Sequence, residues 1–223
     1  MAILSLLLAA CRGEQDDFVP APPPAAPGTS ASAAAPSTTP APSAGAILVR
    51  GTDGSEALTV SENGEVVDIA YTDRAGKHAL RGEERESGKR KYAVDGGPVA
   101  YEIKPAEDGG GFKLRTAAGQ LRWKVKVYPD KIKISDNEEN KNPFELKVRD
   151  GGRVKVMGPG EREVGNVRFD SAASRIEVQN ASGAKQFEVA SAAASGAYGV
   201  LLLDSIPQPE RAILVAEILS RKR

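Results

Sequence analysis

From Ile47 onward, hydrophobic and polar positions alternate with a period of two. Leu121, Trp123, Val125 and Val127 fall on one side of an extended chain, and Arg122, Lys124, Lys126 and Tyr128 on the other. Ile132 and Ile134 alternate with Lys131 and Lys133, Phe144, Leu146 and Val148 with Glu145, Lys147 and Arg149, and Val154 and Val156 with Arg153 and Lys155; Val167 and Phe169 flank Arg168. Alternation of this kind predicts antiparallel strands with one dry and one wet face. Turn signals separate the runs: Asp53-Gly54, Asn63-Gly64, Asp95-Gly96-Gly97, Asp108-Gly109, Ala118-Gly119, Asp150-Gly151-Gly152, Gly158-Pro159-Gly160 and Ser182-Gly183. Glycine takes positive φ without steric cost and Asn or Asp tolerates it, so these dipeptides read as hairpin turns. Their spacing of about a dozen residues predicts an all-β sandwich or barrel.

The period changes near the C-terminus. Pro209 to Arg223 reads as one helix, with Pro in the first turn, Glu210 near the positive end of the helix dipole and Arg221 to Arg223 near the negative end. At 100° per residue, Glu210, Glu217 and Arg221 fall within about 40° of one another. Ile213, Leu214, Val215, Ala216, Ile218 and Leu219 occupy most of the remainder. A helix that is apolar nearly all round is a buried helix, and about 15 residues are too few to span a bilayer. The economical arrangement is a β-structure wrapped around it. The apolar run Ala197-Tyr198-Gly199-Val200-Leu201-Leu202-Leu203-Asp204 before it reads as a second buried element, strand or helix. The fold class is therefore mainly β: an antiparallel barrel or sandwich of hairpins with a buried hydrophobic C-terminal helix.

Four segments share the order aromatic, charged, aliphatic: Tyr101-Glu102-Ile103-Lys104, Phe112-Lys113-Leu114-Arg115, Phe144-Glu145-Leu146-Lys147 and Phe187-Glu188-Val189. Hairpins followed by a hydrophobic terminal helix resemble the tubby-like and LURP-one-related barrels. The resemblance covers about residues 65–220 and rests on element order and on Ala197 to Leu219. It implies a closed antiparallel sheet threaded by its C-terminal helix, in a non-catalytic module that meets lipid or protein partners. It assigns no binding residue. A β-sandwich with the helix on one face, or two small sheets capped by it, fits the same pattern.

The N-terminal text is different. Residues 3–10 are an apolar run of eight, far short of a membrane-spanning helix and of the size found in signal peptides. Leu8-Ala9-Ala10-Cys11 resembles the bacterial lipobox, in which small residues precede a Cys that is lipidated and becomes the mature N-terminus. Cys11 is the only Cys of the chain. No Lys or Arg precedes the apolar run, a departure that predicts a start codon upstream. The resemblance implies acylation of Cys11, palmitate included, and anchoring in a bacterial membrane. Each buried CH₂ contributes about 0.8 kcal/mol, so several acyl chains together give a lasting anchor. Arg12 rather than Asp after the Cys implies delivery to the periplasmic face of the outer membrane.

Residues 18–45 hold 8 Pro, 9 Ala and 7 Ser/Thr, and no charge. This is a Pro/Ala-rich linker of polyproline II and coil, expected to be disordered, that reaches about 87 Å if fully extended. The organisation expected is a signal peptide over residues 1–10, a lipidated N-terminus and linker over 11–45, and a β-rich domain over 46–223.

Composition narrows the chemistry. Thirty Lys+Arg balance thirty Asp+Glu, so no global charge bias points to nucleic acid. One His and one Cys rule out a His/Cys zinc site, and a lone Cys forms no internal disulfide. No nucleophile elbow, phosphate-binding loop, dinucleotide fingerprint or zinc-protease helix is present. Asp136-Asn137-Glu138-Glu139-Asn140 lacks the Gly and Glu of a calcium loop, with Lys141 and Lys147 in their places, and reads as an acidic hairpin turn. His78 reads as an exposed loop or strand residue, and Glu83, Glu84 and Glu86 beside Arg81 and Arg85 as a solvated charge run. No catalytic residue, metal or cofactor is expected.

One feature offers a binding surface. Lys113 to Arg168 carries 14 Lys/Arg against 8 Asp/Glu. Arg122, Lys124, Lys126, Lys131, Lys133, Lys147, Arg149, Arg153 and Lys155 fall on outward positions of neighbouring strands. Such a patch meets anionic lipid, cell-wall polymer or another envelope protein; equally, Lys and Arg keep an exposed sheet soluble. The functional expectation is a membrane-anchored envelope lipoprotein with a non-catalytic binding or structural body. The alternative is an envelope hydrolase, which requires two carboxyl groups close together in a pocket.

Overall fold

The computed structural model describes residues 45–86, 88–190 and 194–221. The leader, Cys11 and the Pro/Ala segment to residue 44 lie outside the described residues, as do Lys222 and Arg223. Fourteen strands follow in order: β1 (Ile47–Gly51), β2 (Glu56–Asn63), β3 (Val66–Asp73), β4 (Gly76–Glu86), β5 (Lys89–Val94), β6 (Val99–Pro105), β7 (Gly111–Thr116), β8 (Leu121–Val127), β9 (Lys131–Ser135), β10 (Phe144–Val148), β11 (Val154–Met157), β12 (Glu163–Asp170), β13 (Arg175–Asn180) and β14 (Lys185–Ala190). Each pairs antiparallel with its sequence neighbours, and β1 closes on β14 through Val49 opposite Val189. The architecture is a closed barrel, not a sandwich. Closure leaves no unpaired strand edge.

Every predicted turn dipeptide lies in a hairpin connection; Gly64, for example, takes φ 61 between β2 and β3. Strand phase also follows the alternation. Leu58, Val67, Ile69, Leu80, Tyr92, Ile103, Phe112, Leu114, Val125, Ile134, Leu146, Val156, Ile176 and Val189 are all buried. In the four aromatic-charged-aliphatic segments, on β6, β7, β10 and β14, the aliphatic residue is buried and the charged one is more exposed.

The lumen is filled by the end of the chain. Gly196–Leu202 is a 3₁₀ segment with every residue buried, which settles the open reading of that run. Helix α1 (Glu210–Ser220) follows, buried at Glu210 and from Ala212 to Ile218. Its flanks meet strands on several sides: Glu217 bonds Arg90 of β5, Glu210 bonds Trp123 of β8, and Ala216 and Leu219 border a crevice with Val60 and Val67 of β2 and β3. A helix contacted from all round by a closed sheet lies inside it.

Antiparallel meandering sorts the connections between two ends. The end where β1 begins, here called proximal, also carries the β2–β3, β4–β5, β6–β7, β8–β9, β10–β11 and β12–β13 turns and the end of β14. The remaining turns form the distal end. Gly196 packs on Ile132 and Val154, near the proximal starts of β9 and β11; Leu202 packs on Gly165, near the distal start of β12. The 3₁₀ segment therefore runs inward from the proximal end. Helix α1 returns, so that Arg221 reaches the carbonyl of Gly88 in the proximal β4–β5 turn.

Two glycines make room for this hairpin and its partners. A Cβ on Gly199 would lie 2.7 Å from Leu146 Cδ2. A Cβ on Gly82 of β4 would lie 2.4 Å from the Tyr92 ring. The barrel's outside, by contrast, presents Asp68, Arg81, Lys91, Glu102, Lys113, Lys124, Glu145, Lys155, Glu177 and Glu188 on successive strands. A wall of that kind faces water and is the reverse of a membrane-spanning barrel, whose outer band is apolar.

Gly82→Ala is expected to destabilise the fold by about 1–3 kcal/mol, because an inflexible ring must be displaced from a packed lumen. Urea unfolding measures it; a cost below about 0.5 kcal/mol would contradict the packing described.

Candidate functional site

Among the described residues two carboxylates are buried inside the barrel, both on α1. Glu217 is 1 % exposed. Its Oε1 accepts from Arg90 Nη1 at 2.7 Å and from the Tyr92 hydroxyl at 2.7 Å, and its Oε2 accepts from Arg221 Nη2 at 3.5 Å. Arg90 also donates to Glu84 at 3.3 Å. Burial first, then the Glu217 charge, hold the Tyr92 hydroxyl protonated well above the usual tyrosine range. Arg221 stacks over Phe112 of β7, 5.0 Å from the ring centroid. Nearer the distal end, Glu210 accepts from Arg122 Nε at 2.7 Å and from the indole N–H of Trp123.

Adjacent residues on a strand point to opposite faces, yet Arg122 and Trp123 reach one carboxylate. A β-bulge explains it: Leu114 and Arg115 of β7 pair with Trp123 and Leu121, leaving Arg122 as the extra residue. The bulge re-aims Arg122 toward the helix. The polar stripe of α1 therefore faces cations of the barrel wall rather than water. The charged run of β4 divides in the same way: Arg81, Glu83 and Arg85 pair with one another outside, whereas Glu84 turns to Arg90 and to the amide of Gly88.

At the distal end a cavity of about 700 Å³ opens between β2, β3 and the 203–209 connection, lined by Thr72, Asp73, Phe187, Leu201, Gln208 and Arg211 among others. Arg211 is committed to the carbonyls of Leu201 and Ile206 and to Asp204. Beside the cavity stands His78. It lies on a strand, as expected, but is half-buried rather than free in solvent. Its Nδ1 is 2.9 Å from Asp95 and its Nε2 3.3 Å from Asp73, and its ring stacks on Tyr71 at 5.1 Å. The Asp95 hydrogen bond, followed after an opposing desolvation by Asp73, raises the His78 pKa above its ordinary value, and Asp95 is lowered in return. Burial, then Asp73, pushes Tyr71 up to about 12. Through Asp73, Asp95 and the amide of Ala79, this group ties β3, β4 and the β5–β6 turn together.

Of the predicted basic residues, Lys124, Lys126, Lys131, Lys133, Lys147 and Lys155 lie on neighbouring strands of one outer face, and Arg122 does not. Lys113 stands opposite Lys124, Lys126 opposite Lys133, and Lys131, Lys147 and Lys155 form a row across β9, β10 and β11. Like charges opposite one another repel, and three carboxylates relieve them. Glu138 serves Lys113, Arg115 and Lys124; Glu145 serves Lys133 and Lys147; Glu163 serves Lys155 at 2.8 Å and Arg153 at 3.9 Å. The Lys147 bond, then Lys133, keeps Glu145 below the usual carboxylate range. Arg122 is drawn away from the strip by Glu210. Lys126, Lys131 and Arg149 have no carboxylate within ion-pair distance among the described residues. The Asp136–Asn140 stretch lies in the β9–β10 loop, as expected of a hairpin connection, where Asn137 and Asn140 bond Ser135 and Lys141. Among the described residues no cluster of three or more metal-ligating side chains occurs.

The sequence analysis missed the buried ion cluster. The available signal was Arg90, a cation in phase with Tyr92 and Val94 on β5.

Glu217→Leu alone is expected to cost about 3–5 kcal/mol, because it leaves Arg90 charged and unpaired in the lumen; adding Arg90→Met is expected to recover much of that loss. A double-mutant cycle by urea unfolding measures it, and additive losses would contradict the pairing. The sole imidazole is expected to titrate by NMR above 6.5, with Asp95→Asn bringing the midpoint down. A raised folded-state pKa stabilises the fold fully below about pH 6.5 and ceases to do so as pH rises through the folded value. The stability difference between parent and His78→Gln is therefore expected to shrink on going from pH 6 to pH 9. A midpoint at or below 6.5 would contradict the clamp.

In comparisons with known proteins, no protein-family model, no curated protein and no solved structure matches this chain.

Proposed function

We propose that the protein is a lipid-anchored bacterial envelope protein whose barrel is a non-catalytic binding or structural module. The carrying observation is the position of its only Cys, which closes a short apolar leader with small residues before it and leads into an uncharged Pro/Ala segment. Acylated at Cys11, the chain holds its barrel on a tether at the periplasmic face of the outer membrane. Arg12 after the Cys favours that address over the inner membrane.

Several features support a catalytically silent body. The lumen, the usual seat of a ligand in a barrel of this size, is occupied by the chain's own helical hairpin. Its two carboxylates are bound by Arg90 and Arg122 and act as structural ions. Asp73 and Asp204, the carboxylates that line the distal cavity, are engaged by the His78 imidazole and by Arg211 respectively. The binding face is then the outer surface, with the basic strands β8 to β11 as its most charged part, suited to anionic lipid, wall polymer or an acidic envelope protein.

Metabolic labelling with a radioactive fatty acid tests the anchor. Label is expected on the parent chain and absent from Cys11→Ser, which is expected in the soluble periplasmic fraction. An unlabelled parent chain recovered without membrane would overturn the reading.

A further inference from the structure

We propose that the proximal rim between β8 and β11 is a second membrane contact, which seats the barrel on the headgroup region of an anionic phospholipid bilayer. The proposal rests on the anchored reading above, and it adds the face and the orientation.

Three large hydrophobic side chains stand exposed on the barrel: Val99, Tyr128 and Val148. Two of them stand at the proximal rim, Tyr128 in phase with the outward Lys126 and Val148 in phase with the lumen-facing Leu146 and opposite Val154. Tyr128 begins the β8–β9 turn and is 38 % exposed; Val148 ends β10 and is 43 % exposed. The amide of Tyr128 donates to Lys131, and that of Val148 donates to Asp130, so the two turns are held side by side. Pro129 stands between them in the chain. The rim between these turns thus carries an exposed aromatic ring on its outer face and an exposed aliphatic residue on its lumen side.

The three strip cations without a carboxylate partner lie around this same rim. Lys126 precedes Tyr128 on the outward face of β8, Lys131 places its ammonium 5.6 Å from the Tyr128 ring centroid, and Arg149 follows Val148. Asp130 and Asp150 stand in the same two turns, so net charge alone does not define the site. Its signature is an exposed tyrosine among long cations on the outer face, with an exposed valine at the lip of the same rim. At a bilayer surface the ring and the valine enter the interface while ammonium and guanidinium groups extend to phosphates.

Topology supplies the second argument. An even number of antiparallel strands places the start of β1 at the same end as the β8–β9 and β10–β11 turns. The chain that leads back to Cys11 thus leaves the barrel from the end that carries this rim. An anchor at Cys11 draws that end toward the bilayer. Tethering also makes a weak contact sufficient, because a linked site experiences an effective concentration on the order of millimolar.

The test uses the full chain as Cys11→Ser, so that no acyl group contributes, in flotation with vesicles of phosphatidylcholine containing about a third phosphatidylglycerol at low salt. Weak, salt-sensitive binding is expected, with none to pure phosphatidylcholine. About fivefold is expected per cation, so Lys126→Glu/Lys131→Glu/Arg149→Glu is expected to lower partitioning at least tenfold. Tyr128→Ala/Val148→Ser is expected to lower it several-fold with the charges intact. Lys77→Glu/Arg162→Glu, exposed at the distal turns, is expected to leave it unchanged. Absence of binding by the parent chain, equal binding by both rim variants, or binding to purified wall polymer but not to vesicles would overturn the proposal. Failure of the anchored reading has a separate signature: vesicle binding through the rim persists while Cys11 takes up no fatty acid.

Discussion

Glu217 is where the tail of the chain is held to the wall that surrounds it. Three donors from two different parts of the chain converge on its two oxygens: Arg90 and Tyr92 from β5, and Arg221 from the next turn of the same helix. Ordinary apolar packing inside a barrel is permissive, since a smooth helix of Ile, Leu, Val and Ala has many near-equivalent rotations and depths. A buried carboxylate is not permissive. Moved by one turn, it would lose its partners and leave two ions without solvent or counter-charge. The pair therefore sets the depth and rotation of α1. Glu210 with Arg122 and Trp123 repeats the constraint near the other end of the helix.

The barrel's geometry follows from that plug. Fourteen strands enclose more space than their own inward side chains fill, and the hairpin of the 3₁₀ segment and α1 takes up the remainder. Small residues appear where the two layers come closest, with Gly199 against Leu146 and Val156, and Gly82 beside Tyr92. The wall is dry within and charged without, and the outer charges are arranged so that single carboxylates serve two or three cations on neighbouring strands. Such exposed pairs each contribute little to stability. Within the predicted basic strip they leave Lys126, Lys131 and Arg149 without a carboxylate partner among the described residues, at the rim that also exposes Tyr128 and Val148. The parity of the meander places that group at the end of the barrel where β1 begins.

Much of this was written in the chain's alternation. The strand phases, the turn dipeptides and the apolar helix were legible because each is a local pattern: side chains alternate across any extended segment, and Gly or Asn takes positive φ wherever a tight reversal needs it. The apolar character of Ile213 to Leu219 carried further, since a helix without a wet face must be enclosed, and few architectures enclose one. Arg122 shows the limit. Strict alternation places it outward with Lys124 and Lys126, but the bulge opposite Arg115 turns it toward Glu210. A bulge depends on the register of two strands, which no single segment records. Arg90 and Glu217 lie 127 residues apart, and nothing near either residue names the other.

The sequence by itself determined the class of each piece: an apolar leader ending in the only Cys, an uncharged Pro/Ala stretch, a run of two-faced hairpins and a greasy terminal helix. Each follows from residues within a few positions of one another, because propensity, periodicity and turn geometry are short-range. The tertiary structure alone decided that the sheet closes on itself, that the tail doubles back through its centre, and which charges are buried, paired or left free. Those outcomes turn on strand register and on the desolvation of ions brought together from distant parts of the chain, and both exist only once the chain has folded.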